Sequence, residues 1–320
     1  VRLVKNWIDN LICPECGSRL QVQDGKFEDN GIWGVPGVSC VKCGSKYPVK
    51  SGILEMLPAG DYSKYEYWDN VYKDPENVIK LYSKRFSYND RFLLNYYVMP
   101  TIAKKLGWFS VESVELGCGW GTNSLALKRF GLTKKIWLVD ISPAALKGAM
   151  KVHSKFGSEV YPVRADIHKL PFCDNAFDVA LSGGLYEHFV GKEQEELIKE
   201  NCRICLKVLC QIPENNMTYR LYRAIYTFIK GKWPFGFETP VSRGKLSELF
   251  KAAGCDIKGW EYNNLATAVI IRMADSRPIF RKFALRPFFF RLFEHDAVIA
   301  ADCRASAGKK GVEGVNYRTG

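Results

Sequence analysis

The chain has 320 residues, 47% hydrophobic and 13% aromatic, enough for one large domain or two unequal ones with a sizeable core. Its formal net charge is +12, and the excess is uneven: residues 202–320 hold 20 Lys/Arg against 10 Asp/Glu, the rest of the chain 26 against 24. No apolar run reaches the roughly 18–20 residues of a membrane span, the first residues lack a signal-peptide pattern, and 11 cysteines then point to a reducing, cytoplasmic setting.

In chain order, the first motif is a pair of knuckles, Cys13-Pro14-Glu15-Cys16-Gly17 and Cys40-Val41-Lys42-Cys43-Gly44. Each places two thiolates on one turn, and the glycine lets the backbone wrap the sulfurs. Four sulfurs at this spacing suit a tetrahedral, closed and hence structural Zn2+. Short alternating stretches between and after the knuckles, ending at Pro58, predict a small β-rich zinc ribbon over 1–58. So small a unit needs the metal for folding energy. The ribbon resembles the small zinc-ribbon partner subunit of certain RNA and protein methyltransferases. It is similar also to the ribbon that precedes the catalytic domain of bacterial rRNA guanine-N1 methyltransferases.

Residues 59–110 are polar and aromatic, with Tyr62, Tyr65, Tyr67, Trp68 and Tyr72 close together. They read as helices packed over a sheet edge or as a lid over a ligand. Helical spacing appears at Phe92, Asn95, Tyr96 and Met99.

From 111 to 303 strand and helix signals alternate, which predicts a parallel sheet covered by helices on both faces. Val114-Glu115-Leu116-Gly117-Cys118-Gly119-Trp120-Gly121 is a strand running into a glycine turn and a helix. Further strands are read at 135–140, 159–165, 177–183, 207–213 and 255–262, with 297–303 as the closing strand. Three acids, Glu115, Asp140 and Asp166, end the first three strands, where such sheets bind ligands. Ser142-Pro143 predicts a capped helix start. Segment 265–293 reads as an inserted helical hairpin and 304–320 as a disordered tail.

The glycine turn and residues 170–189, Leu-Pro-Phe-Cys-Asp-Asn-Ala-Phe-Asp-Val-Ala-Leu-Ser-Gly-Gly-Leu-Tyr-Glu-His-Phe, resemble class I S-adenosylmethionine-dependent methyltransferases of the small-molecule type. The likeness covers about 90–262. It implies a Rossmann-like α/β sheet. It further implies that Glu115, Gly117, Gly119 and Gly121 hold the methionine part of S-adenosylmethionine and Asp140 the ribose. Asp166 and Ile167 would meet the adenine, with Ile141 on its face and Ser182 near the sulfonium. His188, just past the fourth strand, is the candidate catalytic base; a cap at a helix start is the plainer reading. The Cys202-x-x-Cys205 pair and Cys210 lack the knuckle glycine and read as core thiols.

Basic and aromatic residues interleave at 219–235 and 278–293. Such segments form a cap on the domain, lie on an anionic membrane surface, or stack on nucleobases. The expected substrate is a small molecule, glycan or lipid-linked metabolite, with a cytoplasmic protein peripheral to the membrane. An rRNA or tRNA base methyltransferase and a non-catalytic module that retains the fold remain as alternatives.

Overall fold

The computed structural model describes residues 6–24, 32–85, 98–233, 235–264 and 294–303. The strands among them are β1 (Leu20–Val22), β2 (Gly37–Cys40), β3 (Lys46–Lys50), β4 (Ile53–Glu55), β5 (Ser110–Leu116), β6 (Thr133–Asp140), β7 (Tyr161–Arg164), β8 (Val179–Gly183), β9 (Lys207–Pro213), β10 (Asp256–Asn264) and β11 (Glu294–Asp302). The helices are α1 (Glu66–Val71), α2 (Glu76–Arg85), α3 (Val98–Lys105), α4 (Thr122–Arg129), α5 (Pro143–Lys155), α6 (Gly191–Arg203), α7 (Met217–Lys230) and α8 (Arg243–Ala252).

These strands form one sheet in the order β1-β2-β3-β4-β7-β6-β5-β8-β9-β11-β10. The run from β4 through β9 is parallel, and β11 lies antiparallel between β9 and β10. The central strands are apolar on both faces, as a sheet covered twice requires. On β6, Trp137 and Val139 join the core beneath α6 and α8, while Ile136 and Leu138 pack with Leu146 and Ala149 of α5. Chain order reverses between β5 and β8, and this opens a crevice at the strand ends. The fold is the Rossmann-like α/β class expected from the sequence.

Ser142 caps α5 by accepting from the Ala145 amide at 3.0 Å, with Pro143 in the first turn. The helix runs on to Lys155, with Ala149, Val152 and His153 continuing its buried face. Of the aromatic connecting region, Met99, Ile102 and Ala103 anchor α3 in the core. Residues 86–97 lie outside the described residues, as do the expected helical hairpin at 265–293 and the expected tail at 304–320.

The ribbon is continuous with this sheet. Strand β4 pairs in parallel with β7, Leu54 opposite Val163 and Glu55 opposite Arg164. The Met56 amide donates to the Arg164 carbonyl at 2.8 Å. Trp33, 2% exposed, inserts its ring against Trp137 and Tyr161, with centroids 5.6 and 5.3 Å away, and donates its indole N–H to the Gly52 carbonyl at 3.0 Å. Truncating so large a buried ring leaves a cavity and an unpaired carbonyl. Trp33→Ala is therefore expected to cost about 3–5 kcal/mol in a denaturant titration; a loss below about 1 kcal/mol would show that the ribbon is not docked through this ring.

Candidate active site

Residues 114–121 build the floor of the crevice. Gly117, Gly119 and Gly121 all have positive φ, at 57°, 50° and 67°, so the turn needs glycine. At Gly119 space also matters: a Cβ there would lie 2.7 Å from the Tyr72 ring.

Two buried acids brace this turn. Glu115 accepts from the Ser124 amide at 2.9 Å, the Ser124 hydroxyl at 2.5 Å and the Asn123 amide group at 3.0 Å. Burial raises its pKa against the pull of those bonds. Asp140 accepts from the Gly119 amide and the Ser142 amide, each at 2.9 Å. Burial lifts its pKa to about 6, with the Ser142 and Gly119 amides opposing. His153 donates from Nε2 to the Gly121 carbonyl at 2.8 Å, and burial holds the imidazole down at about 4, so the ring is neutral.

Burial also disfavours ionisation of Asp166, but bonds from the His168 ring and amide outweigh it and keep the carboxyl below its usual value. His168 Nδ1 lies 2.9 Å from that carboxylate, and the bond raises the imidazole pKa. The sequence offered no partner for His153 or His168. Their contacts are made two residues away in one case and across the fold in the other.

These elements enclose a cleft of about 560 Å³ including its open mouth. Gly117, Asp140, Ile141, Asp166, Ile167 and His188 line it together. Glu115, Gly119, Gly121 and Ser182 are not among its lining residues. Glu115 stands behind the turn at the start of α4, so its observed contacts shape the turn. Ser182 is buried on β8 near Cys210.

The opposite wall comes from the connecting region, where Tyr65, Trp68 and Tyr72 cover the cleft. Asp69 of α1 accepts a hydrogen bond from the Ser142 hydroxyl, which ties this wall to the strand-β6 turn. The sequence named the aromatic cluster and its two readings. Asp69 carried no signal, since its partner lies 73 residues away.

His188 donates from Nδ1 to the Phe237 carbonyl at 2.7 Å and packs edge-on against Trp68. With a hydrogen held on Nδ1 by that bond, Nε2 is the ring position open to a proton from a ligand. A carboxylate oxygen of Glu187, one of Glu238 and a ring nitrogen of His188 all lie within 4.8 Å of one another. Glu238 in turn accepts from the Tyr219 hydroxyl at 2.5 Å and the Trp233 indole at 2.8 Å.

A family model described as a methyltransferase domain matches residues 114–207. The centre of this chain is thus similar to a methyltransferase domain over 94 of its 320 residues. The match spans β5 to the start of β9 and so covers the glycine turn, Asp140, Asp166 and His188. No curated protein matches the chain. Among solved structures, a Pyrococcus horikoshii protein is similar at 16% identity, with a TM-score of 0.47, covering 76% of this chain and 99% of its own. Magnesium protoporphyrin IX methyltransferase from Synechocystis, with bound S-adenosylhomocysteine, is similar at 14% identity and a TM-score of 0.45, covering 75% of this chain and 94% of its own. A Bacillus halodurans putative methyltransferase gives 13%, 0.43, 61% and 93% in the same measures. None of the three reaches a TM-score of 0.5, and the likeness to a methyltransferase domain rests on the family match.

In the ribbon, the four knuckle sulfurs of Cys13, Cys16, Cys40 and Cys43 lie within 4.8 Å of one another, Cys13 to Cys43 at 3.6 Å and Cys16 to Cys40 at 3.5 Å. A Zn–S bond of about 2.3 Å gives a tetrahedral edge of about 3.8 Å, so the cage fits this ion. The Lys42 and Cys43 amides both point at the Cys40 sulfur, 3.4 Å away, an arrangement that suits a thiolate.

Proposed function

We propose that the protein is an S-adenosylmethionine-dependent methyltransferase whose acceptor is an amphipathic, lipid-linked metabolite met at an anionic membrane surface, and that the ribbon carries a structural zinc. The observation that supports the reaction is the gathering of Gly117, Asp140, Ile141 and Asp166 in one cleft under an aromatic wall. Bound there, S-adenosylmethionine supplies an activated methyl group on a sulfonium. Asp140 presents a carboxylate for ribose hydroxyls. Asp166, with the Ile167 amide, faces the adenine edge. Tyr65, Trp68 and Tyr72 exclude water and favour a cation near their faces. His188 takes the acceptor's proton at Nε2, with Glu187 and Glu238 nearby to stabilise the resulting imidazolium.

The acceptor class is supported by α7. Met217, Leu221, Ile225, Phe228 and Ile229 follow helical spacing and are 84%, 60%, 50%, 91% and 68% exposed. Arg220 and Lys232 lie exposed beside them, and Phe235 and Phe237 extend the apolar surface to the His188 carbonyl contact. An apolar stripe flanked by cations on the outside of the molecule suits an anionic bilayer interface. No helix among the described residues is long and apolar enough to cross a membrane.

The test combines calorimetry with S-adenosylmethionine and sedimentation with vesicles. Phosphatidylglycerol vesicles should carry the protein down and phosphatidylcholine vesicles should not, and Phe228→Ser with Ile229→Ser should abolish co-sedimentation while cofactor binding persists. Salt-sensitive tRNA binding without vesicle binding would overturn the lipid reading in favour of the RNA one. No cofactor binding would overturn the enzyme reading altogether. With methyl-labelled cofactor and a polar lipid extract as acceptor, His188→Ala should lower transfer about 10²–10⁴-fold at unchanged cofactor affinity; unaltered transfer would remove His188 from the chemistry.

A further inference from the structure

The strongest unassigned feature is a second cluster of cysteines, at the end of the sheet opposite the cleft. Cys202 lies in the last turn of α6, Cys255 immediately precedes β10 and Cys303 immediately follows β11. All three are at least 95% buried, and their sulfurs lie within 4.8 Å of one another. The Cys255 sulfur is 3.1 Å from that of Cys202 and 2.9 Å from that of Cys303. A fourth thiol, Cys205, is fully buried, donates to the Asn201 carbonyl at 3.1 Å and neighbours Cys303, outside the group of three whose sulfurs are mutually within 4.8 Å. Cys210, grouped with this pair from the sequence, lies elsewhere, on β9.

We infer that Cys202, Cys255 and Cys303, with Cys205 as the fourth ligand, form a closed structural site for a thiophilic d10 cation, Zn2+ being the one proposed. Simple core thiols would sit at ordinary van der Waals separation, whereas these sulfurs crowd closer. A cation among them turns that crowding into bonding; Cys255 needs to part from Cys202 and Cys303 by under about 1 Å to reach a tetrahedral edge, and the Cys205 side chain turns inward to complete it. A disulfide would satisfy two sulfurs and leave the others crowded in an apolar core. Four protein ligands leave no open position, and the site lies away from the cleft, so the role is structural. The ion would join three chain segments: it fastens the closing β10–β11 pair, whose connection spans residues 265–293, to the end of α6. Around these cysteines Ile204, Leu249 and Phe250 belong to the same core, with the buried Asp302 and the Asn201 carbonyl as polar neighbours. Soft ligands in a dry surrounding favour zinc over a hard, hydrated cation.

The full-length chain, purified under reducing conditions after growth with added zinc, tests this by elemental analysis. About two zinc ions per chain are expected, one for each cluster. Cys255→Ser and, separately, Cys202→Ser should each retain about one, and Cys16→Ser, which alters only the ribbon, should retain the other. X-ray absorption at the zinc edge of the wild type should show about four sulfur neighbours per zinc. A wild-type content of one ion, with the Cys255→Ser variant unchanged at one, would overturn the site. So would an intact mass two daltons low that maps to a Cys255–Cys303 disulfide. Wild-type stoichiometry and absorption decide the matter even if the variants fail to fold.

Discussion

Replacing Asp140 by Ala is expected to weaken S-adenosylmethionine binding by at least about 100-fold. A carboxylate accepting two ribose hydroxyls makes charge-assisted bonds of about 1.5–3 kcal/mol each, and each 1.4 kcal/mol is tenfold in affinity. The same carboxylate holds the Gly119 and Ser142 amides, so its loss also releases the turn that shapes the cleft. Asp140→Asn should lose less, because one acceptor oxygen remains. The pH dependence follows from the raised carboxyl, at about 6. Ionised Asp140 is the form that accepts ribose hydroxyls, so affinity should fall as pH drops through about 6 in the wild type and stay flat in Asp140→Asn. For stability the sign is opposite. A carboxyl raised by burial binds its proton more tightly folded than unfolded, so this group's penalty is absent at acid pH and complete only above about 6. Calorimetry at pH 5 and pH 7.5 checks both; an unchanged affinity in Asp140→Ala would move the cofactor out of this cleft.

Removing the zinc proposed for the ribbon is expected to have a comparable effect on stability. In small zinc modules binding energy is folding energy, and here the folded ribbon covers the free edge of β7. Without it, Leu54 and Met56 leave the core, Trp33 withdraws from Trp137, and the β7 edge is open to other chains. Cys16→Ser should lower the thermal midpoint by about 10 °C or more, as several kcal/mol do in a protein of this size, and promote aggregation. The loss should reach the cofactor cleft as well. Arg164 pairs with Glu55 of β4 at 3.2 Å and donates to the Ile141 carbonyl at 2.8 Å, so the ribbon strand bears on a residue that lines the cleft. A variant with unaltered midpoint and cofactor affinity would show the ribbon to be an independent appendage.

The sequence by itself determined the local features. Gly117, Gly119 and Gly121 are legible because a turn with positive φ excludes most other residues. The knuckles are legible because metal geometry demands thiols at fixed short spacing. Ser142-Pro143 and the strand-end acids are legible because caps and strand ends are read within a few residues. The succession of strands from β5 on, with a closing strand near 297–303, followed from the alternation of helix and strand and from the family resemblance, whereas the antiparallel placement of β11 between β9 and β10 did not. Only the tertiary structure decided where distant segments meet. It set Glu115 behind the glycine turn and Asp140 in the cleft, although both end strands in the same way. It brought Tyr65, Trp68 and Tyr72 over the cleft and Asp69 to Ser142. It joined the ribbon to the main sheet through β4 and β7. It also gathered Cys202, Cys255 and Cys303, which span 102 positions of the chain, into one buried cluster. Spacing rules act over one turn or one strand, whereas these contacts arise from how whole layers pack, and no local pattern records that.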